Sequence, residues 1–258
     1  MKLIKNVLTS QKAILLIMVV ILFIGLSACK KDNPEPKDDT SQKITSYIRF
    51  NHWVDGVDVV YDTVKYTNEF GNNFSIETIQ YFISRVTLVK ENGDEVVVKD
   101  AIYVDAKKPE LLFKKITKSI PNGTYTGIKF IFGLDAAMNQ SGAFPNFPET
   151  AMEWPTMMGG GYHYMKLEGR YAVGTGYNFF NFHTGPLNGA ENYFSVSLPM
   201  NLKVTKNEFD ISLNMEIQNW FRNPHTFDLT TIAGGMMGNQ AKQQLVKENG
   251  VDVFTVSY

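Results

Sequence analysis

Four histidines, one cysteine and two methionine pairs supply most of the soft-ligand chemistry in this chain. Imidazole is neutral near pH 7 and binds borderline metals through either ring nitrogen. Thioether sulfur favours softer, monovalent ions. His52 closes the run Tyr47-Ile48-Arg49-Phe50-Asn51-His52, on the same alternating face as Ile48 and Phe50. His183 closes Tyr177-Asn178-Phe179-Phe180-Asn181-Phe182-His183, just before Thr184-Gly185-Pro186. A strand end beside a turn fixes the direction of an imidazole and leaves it reachable. His163 lies between Tyr162 and Tyr164 after three glycines, at the spacing that puts Met165 and Leu167 on its face. For His163, a ligand role and a buried imidazole bonded to a backbone carbonyl are both open. His225 follows Pro224 in a turn-like setting and reads as a structural, hydrogen-bonded histidine. The pairs Met157-Met158 and Met236-Met237 are flanked by glycine, and packing explains them as well as ligation does.

Spacing alone gives no metal motif. There is no HExxH and no short histidine pair. Other chemistries have less support. No nucleophile elbow, Walker loop or dinucleotide fingerprint is present, and Gly159-Gly160-Gly161 lacks the lysine of a phosphate loop. Asp135, after Phe132-Gly133-Leu134, reads as a turn cap. The chain is therefore read as a non-enzyme. A net charge of −1 argues against nucleic-acid binding.

The single cysteine, Cys29, belongs to a different argument. Lys2, Lys5 and Lys12 precede an uncharged apolar run from Ala13 to Leu26, about the length of a signal-peptide core and short for a membrane span. Leu26-Ser27-Ala28-Cys29 then reads as a lipobox, with residues 1–28 a signal peptide and Cys29 the lipidated residue. Residues 29–43 have no large apolar side chain and read as a solvated tether. The expected location is the cell envelope, as an outer-membrane lipoprotein facing the periplasm or the surface, since Lys30 is not a retention aspartate. With its only thiol lipidated, the folded part can form no disulfide and must be held by its own core.

The elements that position these residues read as strands. Phe209, Ile211, Leu213, Met215 and Ile217 alternate with polar neighbours, the pattern of a strand with one buried face. Ile128, Phe130 and Phe132 repeat it after the turn Pro121-Asn122-Gly123. Short helices are expected at Ser75–Tyr81 and Asn239–Glu248, the second with Ala241 and Leu245 on its apolar side. The predicted fold is all-β: one antiparallel β-sandwich over residues 44–258, with long loops and one or two short helices. Residues 138–161 show no alternation, and an aromatic loop of that length is usually functional.

The order of several segments resembles the MbnP-like family of copper-binding proteins associated with methanobactin uptake. The segments are Phe50-Asn51-His52, Tyr66-Thr67-Asn68-Glu69-Phe70-Gly71, Tyr81 to Leu88, Ile120 to Tyr125, Phe132-Gly133-Leu134-Asp135, Met152-Glu153-Trp154, Gly161 to Gly169, Phe182-His183-Thr184-Gly185 and Asn249 to Phe254. The resemblance implies a β-sandwich that binds one copper ion, in keeping with Cu(I), through two histidines. By position these are His52 and His183, with His163 in reserve. In some relatives a tryptophan two residues before the first histidine is oxidised to kynurenine, in part of the family by a dihaem peroxidase-like partner. Here that position is Phe50. The competing expectation is a metal-independent binding or scaffold module for glycan or protein, presenting Trp154, Tyr162, Tyr164, Tyr171 and Tyr177 as an aromatic platform.

Overall fold

The computed structural model describes residues 46–258, apart from 207, 233 and 234. Cys29, the signal-like segment and the tether lie outside the described residues. Among the described residues no helix is long and apolar enough to cross a membrane. In chain order the strands are β1 (Tyr47–Val54), β2 (Val57–Asp58), β3 (Tyr66–Thr67), β4 (Asn73–Phe74), β5 (Thr78–Lys90), β6 (Glu95–Asp105), β7 (Phe113–Lys115), β8 (Gly123–Phe132), β9 (Met165–Val173), β10 (Gly176–Thr184), β11 (Phe194–Val204), β12 (Asp210–Glu216) and β13 (Phe254–Ser257). They form a five-stranded sheet around β1 and β12 and an eight-stranded sheet around β5. All thirteen strands belong to the unit Gln42–Tyr258, so that unit carries the determinants of the fold.

The alternation read from the sequence sets the sandwich. Ile48 and Phe50 of β1, Ile211, Leu213 and Met215 of β12, and Tyr81, Ile83, Leu167, Phe180 and Phe182 of the other sheet share one core. Most pairings are antiparallel, but β1 runs parallel to β12, with Phe50 opposite Leu213 and His52 opposite Met215. Period two decides which face a residue takes and leaves the direction of its partner strand open.

Residues 75–81 are extended rather than helical. Thr78 begins β5, where Ile79, Tyr81 and Ile83 alternate inward and β-branched side chains fit the pleat. The second predicted helix is present as α1, Gln240–Asn249. The Asn239 side chain caps it by accepting from the Lys242 amide. Its buried face is Gln243, Val246 and Asn249, whereas Ala241 is exposed. Two buried amides on that face are hydrogen-bonded, so polar residues occupy positions the apolar pattern could not anticipate.

β5 organises the larger sheet. Along one edge it pairs with β6. Along the other it pairs first with β9, from Thr78 to Tyr81, and then with β8, from Ile83 to Lys90. The two partners part at Phe82, whose amide donates to the Tyr164 carbonyl and whose carbonyl accepts from the Gly133 amide. The long segment 133–164 leaves and re-enters the sheet at this fork and is ordered. It packs Leu134, Met152, Tyr162 and Tyr164 with Phe82 and Tyr103 into a second, smaller core. Phe82 and Tyr81 are sequence neighbours on opposite faces, so this second core covers the outer face of the eight-stranded sheet.

Candidate metal centre

The outer face of β9 and β10 carries the polar residues. In the antiparallel register Leu167 faces Phe182 and Lys166 faces His183. Leu167 and Phe182 point into the main core. Lys166, Glu168 and His183, one residue out of phase, therefore point to the other side. There His183 Nε2 lies 2.6 Å from Glu168 Oε1. The His183 hydrogen bond is the largest cause holding the Glu168 carboxyl down at about 2, so the residue is a carboxylate at neutral pH. A carboxylate only accepts, so His183 donates from Nε2, which leaves Nδ1 as the nitrogen that could offer a lone pair to a ligand.

His163 approaches from the covering segment. Met152–Trp154 and Gly161–His163 run against each other as a short ladder. The His163 amide donates to the Met152 carbonyl, and the Trp154 amide donates to that of Gly161. His163 Nδ1 lies 2.9 Å from the same Met152 oxygen. A carbonyl can only accept, so Nδ1 carries the hydrogen and Nε2 keeps the free lone pair. Burial pulls His163 down to about 3, and the charges of Lys166 and His183 act in the same direction. The ring is thus neutral at physiological pH.

The two imidazoles meet edge to face, with centroids 5.1 Å apart and planes at 85°. A metal bonded at about 2 Å to a ring nitrogen lies ~3 Å from that ring's centre, so two rings sharing one ion have centroids no more than ~6 Å apart, and these two fall within that limit. Each ring also has its second nitrogen pinned, one by a backbone carbonyl and one by a carboxylate. Metal-binding histidines are usually oriented in this way. Among the described residues, no group of three or more His, Cys, Asp or Glu could hold a metal ion.

Trp154 forms one wall, with its indole 4.7 Å from the His163 ring. It is buried, and its Nε1 hydrogen has no partner among the described residues. Gly185 lies against it: a Cβ there would come within 2.6 Å of the indole Cε3. The Gly185 amide donates to Gln243 Oε1, which ties the turn behind Trp154 to α1. Lys166 Nζ donates to the Ala151 carbonyl at 2.6 Å, just before Met152. Sequence reasoning missed Trp154, Glu168 and Gln243 as parts of this site. The one available signal was Glu168 on the same alternating face as Lys166, two residues along a strand.

His52 is not part of the cluster. It points from β1 into the main core, where its Nε2 lies 3.2 Å from the Tyr81 hydroxyl, and burial lowers it to about 4. His183 lies on the far side of the eight-stranded sheet, so the structure brings His163 rather than His52 beside it. His163 also departs from its expected face: Met165 and Leu167 point into the main core, whereas His163 lies in the segment covering the outer face. His225 has a structural setting, bonded through its ring to Glu248 and through its amide to Asn249 Oδ1. Met236 is buried and Met157 is exposed. The aromatic platform is not available as imagined, because Trp154, Tyr162, Tyr164 and Tyr171 are all buried and only Tyr177 is exposed.

The solved structure described as MbnP from Methylosinus trichosporium is similar in fold, with a TM-score of 0.56 over 82% of this chain and 97% of that one, at 14% sequence identity. No curated protein matches the sequence. The family model for MbnP matches residues 43–238, most of the sequence, and so the chain belongs to the MbnP family.

Proposed function

We propose that this protein binds a copper ion as cargo, through His163 Nε2 and His183 Nδ1, as a lipoprotein of the cell envelope that acquires, stores or transfers the metal. The observation that carries the reading is the pair of imidazoles with ring centroids 5.1 Å apart, each with one nitrogen committed to a hydrogen bond. Two uncharged nitrogen ligands without a thiolate suit Cu(I) better than a hard divalent ion. The protein's own contribution is placement. Met152 and Glu168 hold the rings, and Trp154 with Gly185 closes one side against water. The reading is of a binding protein rather than an enzyme. Membrane attachment through lipidated Cys29 belongs to the same proposal.

Family resemblance supplies a further element. Phe50 stands where some relatives carry an oxidised tryptophan, and the tryptophan beside the imidazoles here is Trp154. If a peroxidase-class partner acts on this protein, Trp154 is the residue we assign to it. Trp53 donates from its indole to Asp58 on the five-stranded sheet, and Trp220 lies in the main core.

The test is anaerobic competition of the 42–258 unit with a Cu(I) chelator. His163→Ala and His183→Ala are each expected to lose tight binding, whereas a folded His52→Gln variant keeps it. Retained affinity in the His163→Ala, His183→Ala double variant would overturn the assignment. Mass spectrometry of protein from its own envelope addresses the tryptophan, with any oxidation expected at Trp154.

A further inference from the structure

We infer a second site, independent of the copper reading, that takes a small organic monoanion with an apolar body. It is a cavity of about 660 Å³ across β5 and β6, under the start of the covering segment. Its volume falls in the range of small-molecule sites, roughly 300–1,000 Å³. Val97, Met138 and Phe144 supply apolar wall, and Val97 is 42% exposed. Arg85, Lys99 and Lys118 supply the cations.

The cationic groups are only partly committed. Arg85 uses Nε on Asp135, and its two terminal amino groups make no hydrogen bond among the described residues. Lys118 gives one hydrogen to the Val97 carbonyl and has two left. Lys99 has no partner among the described residues. Arg85 is also strained, with φ at 54° in the middle of a strand. A register shift in β5 lies between Ser84 and Thr87, so the bulge is what turns Arg85 toward the cavity rim. Backbone strain of that kind in a bulky residue is concentrated at ligand sites.

The same surroundings limit the ligand's charge. Asp100 lines the cavity, and Asp135 holds Arg85 from outside it. Three cations against two carboxylates leave an excess of one positive charge. A single carboxylate or sulfonate on an apolar chain or ring matches that excess, whereas a polyanion would face the two aspartates.

The probe is octanoate, titrated calorimetrically into the 42–258 unit at concentrations below its micelle threshold, with octan-1-ol and octylammonium as controls. Saturable one-to-one binding of octanoate, with neither control binding, is the expected result. Lys99→Gln and Arg85→Gly are each expected to weaken it about tenfold, the effect of losing one charge-assisted hydrogen bond. Glycine accepts the positive φ, so Arg85→Gly removes the guanidinium without adding strain, and thermal melts check that both variants fold. Equal binding of octan-1-ol, absence of saturable octanoate binding, or unchanged affinity in both folded variants would overturn the proposal.

Discussion

His52 should contribute to acid lability in this protein, and a conservative change should remove its share. In the fold its imidazole is only 6% exposed, and burial lowers it from 6.5 to about 4. In the unfolded chain it titrates at its ordinary value. Between those two values the unfolded chain binds a proton that the folded chain refuses. Stability contributed by the neutral ring is therefore complete above pH 6.5 and declines as pH falls toward 4. A gap of two to three pH units, at about 1.4 kcal/mol each, amounts to ~3 kcal/mol. His52→Gln keeps a side-chain partner for the Tyr81 hydroxyl and cannot titrate. The assay is urea unfolding of the metal-free 42–258 unit at several pH values from 7 to 4.5. The parent protein should lose stability with a slope steeper than the variant's by about one proton. Parallel curves for parent and variant would show that His52 is not a desolvated neutral group, and the core placement that separates it from His183 would fall with it.

Three other outcomes follow from the packing. Phe182→Ala should destabilise by about 3–5 kcal/mol in chemical denaturation, because Phe182 is fully buried against Phe221 and Phe227 at 5.1 and 5.0 Å. Gly185→Ala should cost ~1–3 kcal/mol and weaken copper binding as well, because the new methyl group displaces the Trp154 indole, and tryptophan fluorescence in the metal-free protein should report the shift. Glu168→Gln keeps a hydrogen-bonding side chain but removes the charge that fixes His183. A loss of about 10–100-fold in Cu(I) affinity is expected, and an unchanged value would detach Glu168 from the site.

Sequence alternation predicted the sandwich because burial of one face has a period of two, and the apolar runs of β1, β8 and β12 obey it. Residues 138–161 of the long covering segment were legible as an unusual element from their composition, while the second core the segment builds was not. Phe82, Tyr162 and Tyr164 become neighbours only because β5 exchanges β9 for β8 at Phe82, and that fork is a property of pairing between distant strands. The parallel course of β1 beside β12 was hidden for the same reason.

The histidines show where reading by faces stops. His52 and His183 each sit near the end of a strand, and position along the strand does not distinguish them. Alternation puts His52 in phase with Ile48 and Phe50, which are core residues. It puts His183 out of phase with Phe180 and Phe182, which are also core residues. Two side chains on opposite phases, in sheets that share one core, point to different sides of the eight-stranded sheet. That relation was present in the sequence, and it becomes decisive once the phenylalanines are known to face inward. The partner of His183 could not be obtained in this way, because His163 precedes β9 and is carried by a loop. Its direction comes from the Met152 carbonyl, which accepts both its amide and its ring hydrogen. A candidate metal pair in this fold is thus assembled from one strand residue, fixed by phase, and one loop residue, fixed by a hydrogen bond that only the folded chain provides.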